Sequence, residues 1–64
     1  MQSMNGKQII EKLKAAGWTL ARINGSHHLM TNGTIAVPVP VHASKDVGAG
    51  LVANISRSTG VKLK

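Results

Sequence analysis

The chain has 64 residues, no cysteine, and eight Lys and Arg against two acids, a formal net charge of +6. That length holds one core and one domain, residues 1–64, and the lack of cysteine excludes a disulfide framework or thiolate metal cluster and points to a reducing cytoplasm. A single Trp with no Tyr or Phe excludes a multi-base stacking platform, so a basic chain of this kind is expected to meet polyanions through phosphate contacts.

Residues 1–4 show no pattern and are expected to form a flexible lead. Asn5 is a good N-cap, Gln8 stands where a capping box needs it, and Ile9, Ile10, Leu13 and Ala16 recur at helical spacing up to Gly17, a left-handed stop. Residues 18–23 are rich in strand formers and end at Asn24-Gly25, a tight-turn signal. Residues 27–31 fit a second strand, and Asn32-Gly33 repeats the turn before a third strand over 34–39. Pro38 and Pro40 cannot donate ladder hydrogen bonds, which confines them to a sheet edge or the end of the last strand. After a loop, Val47, Leu51, Ile55 and Thr59 recur at helical spacing, with regular helix expected from Ala49 and a cap at Gly60.

The order α-β-β-β-α predicts an α+β two-layer domain: a three-stranded antiparallel meander with both helices on one face. No apolar run approaches the ~20 residues that cross a bilayer, nor does a basic segment lead into a hydrophobic one, so no membrane association is expected. Trp18, at the start of a strand in a chain short of large apolar groups, is expected in the core.

The densest chemical feature is Gly25-Ser26-His27-His28. Alternation along a strand sends the two imidazoles to opposite faces, so only one can enter a given site. Imidazole titrates nearest physiological pH, which suits it to the proton transfers of RNA cleavage by the ribose 2′-hydroxyl. His28 can serve in such a transfer, with Lys45 or Arg22 holding phosphate and His42 as a candidate second group. Lys45 precedes the last helix, where free N–H groups favour an anion. Gly25 and Ser26 suit the turn and are supporting residues. A zinc site from His27, His28 and His42, completed by Asp46, is disfavoured because adjacent strand residues diverge; no metal or cofactor is expected.

Gly17-Trp18, Arg22, Gly25 to His28, Val39-Pro40-Val41-His42, Lys45-Asp46 and Gly60-Val61 follow one another in the order and spacing of the HicA toxins, and the chain resembles that family from the first helix to Gly60. The resemblance implies a fold like the double-stranded-RNA-binding domain, ribosome-independent cleavage of mRNA, and neutralisation by a HicB-type antitoxin. It also implies that the second His of the motif, His28, is catalytic. His27 then falls among the supporting residues with Gly25, Ser26, Arg22, His42 and Lys45. The antitoxin is expected to cover His28 and the basic surface. The alternative is a non-catalytic RNA-binding module that blocks translation by occupancy, marked by salt-steep binding without cleavage products. A third reading is a domain that serves mainly to dock an acidic protein.

Overall fold

A computed structural model describes residues 4–42 and 45–63 of the chain. Asn5 caps the first helix as its sequence predicts: its Oδ1 accepts from the Gln8 N–H and Gln8 Oε1 accepts from the Asn5 N–H, each at 2.9 Å. The helix, α1, runs over Gly6–Ala15. It buries Ile9 and Leu13 completely and stops at Gly17, whose φ of 98° is open to glycine. The Trp18 N–H then donates to the Leu13 carbonyl at 2.9 Å, turning the chain into the sheet.

Three antiparallel strands follow in the order β2-β3-β4: β2 Thr19–Asn24, β3 His27–Thr31 and β4 Ala36–Pro40. The first turn is centred on Gly25-Ser26, one residue beyond the predicted Asn24-Gly25, because Asn24 pairs with His27 and Gly25 takes the left-handed φ of 62°. The second turn runs longer than predicted. Asn32 Oδ1 accepts from the Thr34 and Ile35 N–H groups, an Asx turn that delays β4 to Ala36. Pro38 and Pro40 lie in an edge strand, where their missing donors cost the ladder nothing.

The second helix, α2, spans Ala49–Thr59 and ends at Gly60, φ 73°. Its buried residues are Val52 and Ile55, whereas Leu51, placed in the apolar stripe by sequence spacing, is 40% exposed. The phase differs because Val47 does not belong to that helix. It forms a two-residue strand, β5 (Asp46–Val47), antiparallel to β1 (Met4–Asn5), with Met4 opposite Val47. Met4, assigned to the lead by sequence, is buried. Residues 1–3 of that lead lie outside the described residues. Past Gly60 the chain folds back, Ser56 Oγ donates to the Val61 carbonyl at 2.7 Å, and Leu63 becomes core.

The core lies between the helices and one face of the sheet. Met30, Val37 and Val39 are buried with Trp18, Ile9, Leu13, Val52 and Ile55, while alternate residues Ala36 and Pro38 are exposed. Both helices therefore cover the same face, and both contact β4. The closest approach is at Gly6, where a Cβ would run into the Pro40 carbonyl oxygen and meet Val41 Cγ2 at 2.8 Å. Gly6→Ala is accordingly expected to cost about 1–3 kcal/mol by forcing α1 off β4. A thermal melt followed by circular dichroism checks this: a fall in Tm of more than about 5 °C is expected for so small a domain, and an unchanged melt would contradict the contact.

Candidate nucleic-acid interface

Register fixes which side chains share a face. Ile23 pairs with His28, and His28 with Val39, so these three form one row across the sheet. Leu20, Met30 and Val37 form the next row of the same face. Since Met30, Val37 and Val39 are core residues, His28 points to the helix side. His27 pairs with Asn24 and Pro40 and projects from the opposite, outer face, where it is exposed.

His28 is half-buried. Its Nδ1 is the one buried side-chain nitrogen or oxygen without a hydrogen-bond partner among the described residues. An unmade hydrogen bond at a buried polar atom is costly, and native proteins keep few of them. With Nδ1 enclosed, Nε2 is the ring nitrogen that a ligand can meet. The approach is from the β2 side: the helices contact β4, and Leu20 and Ile23, on the same face, remain 39% and 56% exposed. His28 thus stands at the inner end of a shelf floored by Ile23 and open at the sheet edge.

The same end of the sheet gathers the other candidates. The Val41 N–H donates to the Ser26 carbonyl at 2.7 Å, tying the end of β4 to the Gly25-Ser26 turn and bringing His42, exposed just beyond, to that end. The Lys45 N–H donates to the His42 carbonyl at 2.9 Å, which holds the exposed Lys45 one residue before β5. Pairing of β5 with β1 then brings the starts of both helices to this end, since α1 follows β1 directly and α2 begins two residues after β5. Two helix N-termini carry positive partial charge. Neither has an acidic residue in its first turn, and the N-cap of α2, Gly48, makes no side-chain cap.

Gly25, Ser26, His28, His42 and Lys45 are therefore brought to one end of the fold, with His27 there but on the reverse face. Arg22 is not with His28. It pairs with Leu29 and so projects from the outer face. The residues that sequence reasoning passed over are Ile23, which floors the shelf, and Lys7, exposed in the first turn of α1 at the same end. The capping signal at Asn5 marked a helix start for Lys7, but only the β1–β5 pairing says where that start lies.

The described residues thus form a small basic α+β domain with a buried, unpartnered imidazole nitrogen at the end of the sheet where the helices begin. Comparison with family models gives its class: residues 6–61 match the model described as the HicA toxin of bacterial toxin-antitoxin, which makes it the toxin of a toxin–antitoxin pair with an antitoxin as partner. The chain belongs to the HicA toxin family. A comparison with curated proteins finds no match.

Proposed function

We propose that the chain is a ribosome-independent endoribonuclease that cleaves mRNA, with His28 as its catalytic residue. The observation that carries this reading is the His28 ring, half-buried on the open shelf with Nδ1 enclosed and without a partner. In the proposed reaction the ribose 2′-oxygen attacks the adjacent phosphorus and the bond to the 5′-oxygen breaks. The proton leaves the 2′-hydroxyl and one is delivered to the 5′-oxygen, giving a 2′,3′-cyclic phosphate and a 5′-hydroxyl. His28 Nε2 is the proton-transfer atom, contributing about 10²–10⁴-fold in rate. The charge that builds on the phosphorane is met by the helix N-termini, Lys45 and Lys7, with His42 as the second proton-transfer candidate. His27 and Arg22, on the outer face, serve RNA binding and not the proton transfer.

No metal takes part in this scheme, because His27 and His28 diverge and leave no converging imidazole set. The α-β-β-β-α core fits a fold like the double-stranded-RNA-binding domain, acting in the cytoplasm. The antitoxin partner is of the HicB type; it covers His28 and neutralises the lysines around it, and in a domain this small it competes with RNA for one surface.

Incubating the purified chain with single-stranded mRNA in the absence of ribosomes tests the reading. Discrete fragments are expected. Intact RNA held in a complex that weakens steeply with salt would instead mark a module that acts by occupancy.

A further inference from the structure

The two edges of the three-stranded sheet are chemically unlike. On β4, the Val41 N–H donates inward to Ser26, so alternation turns Val37 and Val39 toward β3 and leaves Ala36, Pro38 and Pro40 at the open edge. Two of those three residues have no N–H, a device that blunts strand pairing. β2 is protected only by a bulge between Leu20 and Arg22, which leaves Arg22 to Asn24 in regular register with β3. Its sequence, Thr19–Asn24, contains no proline, and all six residues are exposed. Asn24 faces its partner His27 across a two-residue turn, so Ile23 directs its N–H and C=O outward. The inner face of this edge carries the exposed Leu20 and Ile23, and its outer face carries Arg22.

We propose that the β2 edge accepts an extended segment of an acidic protein partner as a fourth strand, its side chains alternating between apolar groups over Leu20 and Ile23 and carboxylates beside Arg22. Outward backbone N–H and C=O groups, as at Ile23 beyond the bulge, are matched by another polypeptide backbone. The charge selects the partner. The chain carries +6 with only two acids, so a second copy would set +6 against +6 and place an Arg22 on both edges, whereas an acidic strand gains from the same field. The pairing stands independently of RNA cleavage. Its consequence for His28 rests on the catalytic reading: inward side chains of the added strand would extend the row Val39, His28, Ile23 and wall off the open side of the shelf.

The test uses the ¹⁵N-labelled full chain and a blocked octapeptide of alternating Val and Glu, read by amide hydrogen exchange along β2. Protection of the Ile23 amide by about tenfold or more is expected at saturating peptide, with none from the alternating Val and Lys peptide. Ile23→Pro removes one outward donor and no bond to β3, and is expected to abolish protection of the remaining β2 amides. Ile23→Ala keeps the donor and is expected to retain it. An Ile23 amide that gains no protection, equal protection by the basic peptide, or protection that rises with chain concentration in the absence of peptide would each overturn the proposal, the last in favour of self-pairing. Cleavage measured on the peptide-free chain separates the two claims: no cleavage there, with protection of β2 once peptide is added, would sink the catalytic reading alone.

Discussion

Replacing His28 with alanine is expected to lower RNA cleavage by about 10²–10⁴-fold, the range that a positioned proton-transfer group contributes. The fold should survive, because the ring is only half-buried and its enclosed Nδ1 makes no hydrogen bond; if anything, truncation removes an unsatisfied polar atom. Under the proposed function binding should change little, since His28 is assigned the proton transfer and RNA binding is assigned to the lysines, the helix ends, Arg22 and His27. His27→Ala is the matched control. That imidazole lies one residue away but on the outer face, so its loss is expected to weaken binding with a much smaller effect on the chemical step. Single-turnover cleavage, with circular dichroism to match the folded fractions, distinguishes the two. Equal losses from both variants would contradict the assignment of faces.

The second large effect is on stability. Trp18 is buried beside the end of α1, and its N–H holds the turn into β2 through the Leu13 carbonyl. Trp18→Ala is expected to cost about 3–5 kcal/mol. A domain of this size, without disulfides, has little more than that to lose, so the variant should be largely unfolded at 25 °C and inactive for that reason. Trp18→Phe, which keeps most of the apolar volume, should fold with a lowered Tm. Far-UV circular dichroism checks both, and a native spectrum with a native melt for Trp18→Ala would show that the ring is not core.

Much of this architecture was legible because local signals agreed with one another. The Asn5–Gln8 capping box, Gly17 and Gly60 marked helix ends by mechanisms that need no tertiary context. Strand alternation separated His27 from His28, although it could not say which of them faces the helices. The misjudged features depend on long-range pairing. A two-residue strand has no periodicity of its own, so β1 and β5 leave no signal, Val47 reads as the first residue of an apolar stripe at helical spacing, and that stripe phases α2 on Leu51 in place of Val52. The β2 bulge hid the position of Arg22. Alternation counted from Leu20 would put Arg22 on the His28 face, but the register shifts between those residues, sending Arg22 outward and leaving Leu20 and Ile23 together on the inner face. The electropositive end was only half legible for the same reason: Lys45 announced itself before α2, while the arrival of α1 and Lys7 at the same place follows from β1–β5.

The central claim is that His28 drives cleavage through the 2′-hydroxyl without a metal. The most direct measurement incubates the chain and its His28→Ala variant, matched for folding, with single-stranded RNA in excess EDTA and analyses the product ends. Fragments from the unmutated chain alone, ending in a 2′,3′-cyclic phosphate, are the result this account predicts. Cleavage that persists in His28→Ala, or RNA bound tightly by both proteins and cut by neither, would contradict it.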